Sequence, residues 1–163
     1  MKVAFLIIDM QIECVDHEHI MPCAIQASEY INEVSGYFRK YGYPVVIVQD
    51  LELEGGAENP KFEFIPQINI EESDIRVHKE YSNSFWKTDL EQILRDQGVE
   101  LVVIAGFAAE YCALFTYNGA LERGFKTVFL QNGVVGNHPD SVTKINRDYQ
   151  VASYSVINML LKK

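Results

Sequence analysis

Three runs in this chain are apolar at every position rather than at every second one: Val3–Ile8 (VAFLII), Val45–Val48 (VVIV) and Leu101–Ala105 (LVVIA). A strand with one wet face alternates, so unbroken runs of this length point to strands buried on both faces, which is what a parallel sheet covered by helices provides. Between the runs lie segments of helical spacing. Pro22–Tyr41 carries Ile25, Ile31, Val34 and Phe38 and stops before Gly42 and Pro44. Trp86–Gln97 turns Leu90, Ile93 and Leu94 inward with Gly98 as its stop, and Glu110–Arg123 ends at Gly124. Ile75 and Val77 alternate with Arg76 and His78 in a short strand that runs into Lys79, and Phe125–Leu130 is a further strand. Beyond Pro139 the pattern predicts a short helix at Ser141–Arg147, a strand at Gln150–Ser153 and a terminal helix at Val156–Leu161. Strand and helix in alternation imply right-handed crossovers, hence an α/β fold: a three-layer, doubly wound, mostly parallel sheet with helices on both faces. Residues 1–163 read as one domain, a length that can bury a sizeable core. The segment Glu52–Gln67, with Gly55, Gly56, Pro60 and Pro66, reads as a loop or lid and not as a domain linker.

A formal net charge of −9 argues against nucleic acid and against an anionic membrane as partner. No stretch approaches the roughly 20 apolar residues of a membrane span. The opening MKVAFLIIDMQ is too short an apolar run for a signal peptide and has no small-residue cleavage site after it, so a cytoplasmic location is expected. There are three cysteines, Cys14, Cys23 and Cys112, with no C-x-x-C pair, which fits a reducing compartment. A lone cysteine ordinarily serves as a small buried hydrophobe. Cys112 must earn a chemical role from its surroundings.

In open parallel sheets, ligands sit outside the carboxyl ends of the strands, where strand order reverses. Asp9 ends the first strand, Lys79 ends the Ile75–His78 strand, and Cys112 follows Leu101–Ala105 through a turn containing Gly106. Alone, Asp9 reads more readily as a helix cap and Lys79 as a solvated surface lysine. Together they put an acid, a base and a thiol on one rim. A free thiol titrates near ~8.5 and is only a few per cent thiolate at neutral pH. A place near a helix N-terminus and a neighbouring ammonium would both favour the anion. The expectation is a Cys112 thiol held below its ordinary value.

The segments AFLIIDMQ, VHKEYSNSFWKTDLEQIL and LVVIAGFAAEYCALFTYNGALERGFKTVFLQNG resemble the isochorismatase-like cysteine hydrolases, the superfamily of nicotinamidases and N-carbamoylsarcosine amidase. The resemblance implies a catalytic triad of Asp9, Lys79 and Cys112. It also implies a cis Phe107–Ala108 peptide, an oxyanion hole made by the backbone N–H groups of Ala108 and Cys112, and a substrate pocket shaped by Gln11 and Phe107. The implied reaction is hydrolysis of a C–N bond in a small amide, ureide or similar substrate through a thioester. The implied assembly is a homo-oligomer. Departures are visible. Nicotinamidases carry an Asp-x-His pair and a further His after the second strand, holding a metal, whereas here VIVQDLELEGG offers Asp50 and no His before His78. Cys14 stands where the opening D-x-Q-x-x-F has an aromatic, and Asn132 where an acidic residue is common. His17 and His19 form an H-x-H flanked by Asp16 and Glu18 that reads as solvated loop, His138 precedes Pro139 in a turn, and His78 points to the face opposite Lys79. The expectation is therefore no metal and no cofactor. Two other readings stand beside the amidase: a vinyl-ether hydrolase of the isochorismatase type, which does not need the thiol, and a non-catalytic interaction protein that keeps the fold.

Overall fold

The unbroken apolar runs become the middle of the sheet. In the computed structural model, which describes residues 1–162, the strands are β1 (Lys2–Ile8), β2 (Val45–Asp50), β3 (Ile75–Lys79), β4 (Val99–Phe107), β5 (Lys126–Val135) and β6 (Val151–Ala152). They lie in the order β3-β2-β1-β4-β5-β6, every pair parallel. The helices are α1 (Ile12–Val15), α2 (Met21–Lys40), α3 (Leu90–Asp96), α4 (Cys112–Glu122), α5 (Ser141–Asp148) and α6 (Tyr154–Leu161). The two-residue period of β1 sends Val3, Phe5 and Ile7 to one face, against Ile31, Val34 and Phe38 of α2 and Ile157 and Leu161 of α6. Ala4, Leu6 and Ile8 go to the other face, against Leu90 and Leu94 of α3, Ala113, Tyr117 and Ala120 of α4, and Ile145 of α5. Each such fully buried large apolar side chain contributes about 1.5–3 kcal/mol relative to exposure.

Strand order reverses between β1 and β4, so the crevice outside their carboxyl ends is the switch point where such sheets hold ligands. The two strands approach closely there. Gly106 has φ +108, and a Cβ on it would stand 2.1 Å from the Ile8 carbonyl oxygen, so only glycine fits between β4 and β1. The next peptide, Phe107–Ala108, is cis, as the resemblance implies.

Three elements differ from the sequence reading. The helix expected from Trp86 begins only at Leu90, because Lys87 adopts φ +55 and the Thr88 hydroxyl donates to the Ser84 carbonyl at 2.5 Å, closing a turn instead. β5 continues past Leu130 to Val135: its register on β4 jumps from Ile104↔Phe129 to Gly106↔Val134, and a bulge around Asn132, at φ +62, absorbs the polar Gln131-Asn132-Gly133. The Glu52–Gln67 segment is a loop, but its second half is not free to act as a lid. Phe62, Phe64 and Ile65 are buried, Phe64 forms an antiparallel bridge with Gln11, and the Ile65 N–H donates to the Met10 carbonyl at 2.9 Å. No helix among the described residues is long and apolar enough to cross a membrane.

Candidate active site

Four side chains converge at the switch point. Asp9 leaves the end of β1 with φ +49, its N–H donating to the Val48 carbonyl at 3.0 Å, so the backbone turns and the carboxylate points into the crevice floor. Lys79 is the last residue of β3, and the alternation along that strand buries it while His78 faces out against the edge of Phe62. Cys112 is the first residue of α4. Lys79 Nζ lies 2.8 Å from Asp9 Oδ2 and 3.5 Å from Cys112 Sγ. The three residues expected from the sequence are thus brought together. The fourth is Asp50, at the end of β2, whose Oδ2 is also 2.8 Å from Lys79 Nζ.

Burial sets the proton affinities. It pushes the Asp9 carboxyl up, and the adjacent Lys79 ammonium brings it only part of the way back, to about 6. It pushes the Cys112 thiol up as well, the Asp9 charge adds to that, and Lys79 offsets only part, leaving the thiol at about 12. The expected depression of the Cys112 thiol is therefore reversed: the helix N-terminus and the lysine are present, but removal from water and a neighbouring carboxylate outweigh them. Lys79 itself is lowered by burial yet held above the ordinary lysine range by Asp9, Cys112 and Asp50. At neutral pH the resting site holds a neutral thiol, an ammonium and an Asp9 carboxylate. Among the described residues no N–H or O–H group donates to the buried Asp9 Oδ1. The Cys112 thiol interacts with the Asp9 carboxylate, so that oxygen is an acceptor available for the thiol proton.

Beside the thiol, the N–H groups of Tyr111 and Ala113 both donate to the Ala108 carbonyl, at 3.0 and 3.1 Å, and the Ala109 N–H donates to Val135 at 2.8 Å. Among the described residues the N–H groups of Ala108 and Cys112 have no acceptor. Phe107 is half-buried against the α2-side core. Gln11 is not a pocket wall. It is fully buried, and its side chain brackets the Asp50 backbone, Oε1 accepting from the Asp50 N–H at 2.7 Å and Nε2 donating to the Asp50 carbonyl at 3.2 Å.

Two neighbours escape a reading by strand ends. Cys14, on α1, packs against the α2-side core, and burial raises its thiol, with the charges of Asp9 and Asp50 adding to that. Glu110, in the turn before α4, accepts at Oε1 from the Asn137 N–H (2.8 Å), the His138 N–H (3.1 Å) and the Ser141 hydroxyl (2.9 Å), tying that turn to the loop ahead of α5. The D-x-Q-x-x-C spacing signalled the first; only the fold could signal the second. His17, His19 and His138 are exposed.

A carboxylate oxygen of Asp9, one of Asp50 and Cys112 Sγ lie within 4.8 Å of one another, a grouping that could hold a metal on distance alone. The donor set does not fit one. The Lys79 ammonium already stands against all three, at 2.8, 2.8 and 3.5 Å, and the second Asp50 oxygen accepts from the Glu52 N–H at 2.8 Å. A second cation would have to displace a buried one.

The family model described as the isochorismatase domain matches residues 3–155. Over 82 residues the chain is 29% identical to maleamate amidohydrolase of Pseudomonas putida, a match over 50% of this chain that spans only 38% of that enzyme. The structure resembles that of N-carbamoylsarcosine amidase from Thermoplasma acidophilum, with a TM-score of 0.83 at 26% identity over 94% of this chain and 97% of the other. It shares its fold with the pyrazinamidase of Pyrococcus horikoshii, solved in complex with zinc, with a TM-score of 0.76 at 24% identity over 94% and 99% of the two chains.

Proposed function

The chain belongs to the isochorismatase family, and from that premise we propose that it is a cysteine hydrolase that cleaves a C–N bond of a small amide, ureide or related substrate through a thioester acyl-enzyme. The observation that carries this reading is the contact of a buried ammonium with both a thiol, at 3.5 Å, and a carboxylate, at 2.8 Å, at the switch point of the sheet.

The substrate carbonyl sits over Cys112 with its oxygen toward the unpaired N–H groups of Ala108 and Cys112. The Asp9 carboxylate accepts the thiol proton as Sγ attacks the carbonyl carbon. A neutral thiol at rest suits this order, since proton transfer and attack proceed together and no free thiolate has to be buried. The oxyanion of the tetrahedral intermediate is stabilised by the two N–H groups, a contribution of about 2.7–4 kcal/mol per donor in comparable sites. Collapse breaks the C–N bond, and Asp9 returns its proton to the departing nitrogen, which leaves as ammonia or an amine. Water then attacks the thioester, giving a proton to Asp9. The second tetrahedral intermediate expels the Cys112 sulfur, which recovers that proton, and the acid product leaves. Lys79 holds the Asp9 carboxylate in place and stabilises the negative charge that develops on sulfur. No step requires a metal or a cofactor.

The test is ammonia release from a panel of small amides and ureides by the purified protein, before and after alkylation with iodoacetamide. Turnover that alkylation abolishes supports the cysteine hydrolase. Turnover of a vinyl ether that survives alkylation would replace it with the isochorismatase-type reaction, and inertness toward every compound would favour a non-catalytic role.

A further inference from the structure

The reaction just described gives Asp50 no task, yet no residue of the cluster is more firmly placed. Its backbone is bracketed on both sides by the Gln11 amide, its Oδ1 accepts from the Glu52 N–H, and the following Leu51 N–H donates to the Lys79 carbonyl at 2.8 Å. Its side chain is 16% exposed where that of Asp9 is 3% exposed, so the ammonium stands between a wetter carboxylate and a dry one. A flexible lysine with a single partner follows that partner. Held at 2.8 Å by two carboxylates on neighbouring strands, Nζ is pinned at one point, and that point is in contact with Cys112 Sγ.

We propose that Asp50 is a positioning residue that acts through Lys79: it clamps the ammonium against Cys112 and shares its charge, so that Asp9 is not consumed as the lysine's sole counter-ion and remains able to take the thiol proton. This rests on the reading of Cys112 as nucleophile and Asp9 as base. It also assigns a new use to the acidic position at the end of β2. With no His after it and Lys79 against it, Asp50 serves the chain's own cation in place of a metal ion. The charged and titratable groups that face Lys79 are Asp9 from β1, Asp50 from β2 and Cys112 from α4, with Cys14 of α1 coupled to the same set. Asp50 is a negative charge beside both Asp9 and Cys112 and raises the proton affinity of each.

The experiment uses the full chain without substrate: the rate of iodoacetamide labelling at Cys112, resolved by peptide mass, from pH 7 to 9, for the wild type, Asp50→Asn and Asp50→Glu. Asp50→Asn keeps the shape and deletes the charge. Without the clamp Nζ follows Asp9 alone and leaves Sγ. The Cys112 labelling rate at pH 8 should then fall ~3-fold or more, since well below its pKa the thiolate fraction drops about tenfold for each unit of upward shift. A rise would show Asp50 acting only as a nearby charge and would overturn the clamp. Asp50→Glu restores the charge and should return the rate toward that of the wild type. In parallel, wild type incubated with equimolar zinc and desalted should retain far less than one zinc per chain. Identical labelling profiles for wild type and Asp50→Asn would overturn the proposal. So would stoichiometric zinc in the wild type, a result that decides the question even if the variants do not fold. Because labelling needs no substrate, an amide panel without ammonia release but with the Asp50→Asn effect intact would sink the hydrolase reading alone.

Discussion

At neutral pH the site rests with Asp9 ionised and Cys112 protonated, because burial raises both groups yet leaves the acid at about 6 and the thiol at about 12. Asp9 is required as a base, so kcat/KM should rise with pH through about 6, and it should stay level to pH 9 because Cys112 and Lys79 titrate far above that range. A pH profile with its acid limb near 4 would mean that Asp9 is not the proton acceptor. Cys112→Ala should lower turnover by ~10³-fold or more with the fold retained, since it removes one sulfur atom from a half-buried place. Full activity in that variant removes the nucleophile assignment. Lys79→Met is a harsher change. It leaves Asp9 and Asp50 facing each other without a cation, which should cost about 3–5 kcal/mol in denaturant unfolding and should slow Cys112 labelling further, because the one charge that lowers the thiol's affinity is gone. Normal labelling and normal stability in Lys79→Met would make it an ordinary buried pair. The three residues were legible in the sequence because each lies at or just beyond the carboxyl end of a strand, Cys112 by way of the Gly106 turn. The sign of the thiol shift was not, since dipole and charge can be inferred from position but desolvation depends on what the fold stacks around the sulfur. Asp50 was legible only as a metal position without its histidines; that Lys79, 29 residues away, would take its oxygen follows from β2 and β3 being neighbours in register, Asp50 beside Lys79.

The elements that carry the site are the ones whose sequence left least choice. β1 and β4 are apolar throughout because both faces are covered, and their pairing puts the Asp9 turn and the Gly106 turn side by side, Ile8 against Gly106. Gly106→Ala is therefore the most informative change outside the cluster. Its Cβ would meet backbone atoms of Ile8 at 2.1 Å (O) and 2.7 Å (N), which no rotamer can relieve, and at φ +108 the backbone disfavours any side chain. The expected outcome is a loss of more than ~4 kcal/mol or failure to fold, read by urea denaturation; a protein of wild-type stability would show that β1 and β4 do not approach as described. The elements that the sequence read poorly share one cause, in that tertiary contacts override local pattern. The start of α3 is delayed by the Ser84–Thr88 turn, and Ser84 is itself held by Thr116 of α4 at 3.0 Å. The continuation of β5 through polar residues is stabilised by β4 beyond the bulge. Lys61 to Ile65, within the segment read as a loop, is tied down by β-type bonds to the Met10–Glu13 stretch. That contact also helps fix the backbone around Gln11, and through it Asp50.

Across the whole molecule, the cluster is a place where function opposes stability. A carboxyl that titrates at about 6 when folded and at 3.8 in a free chain takes up a proton on folding at any pH between the two, so the folded state is favoured by acid in that window. The stability that Asp9 contributes is fully present below pH 3.8 and is lost as the pH rises through about 6, a change of about 3 kcal/mol in total. Working pH therefore lies where Asp9 is ionised, able to act as a base, and costly to the fold. Surface acids such as Asp16, Asp140 and Asp148, each lowered by a basic partner, slope the other way and at lower pH, so the stability of the wild type alone mixes opposite trends. The difference between wild type and Asp9→Asn isolates one of them, because the asparagine cannot titrate and all other groups are shared. Measured by urea denaturation at steps from pH 4 to pH 7.5, the wild type should lose ground to Asp9→Asn as pH rises, with most of the change between about pH 4 and 6 and little beyond it. Lys79 remains paired with Asp50 in the variant, which keeps the comparison within a folded protein. A difference that does not vary with pH would show that Asp9 titrates as a free carboxyl, and a base buried to hold a shared proton would then have to be sought elsewhere in the cluster.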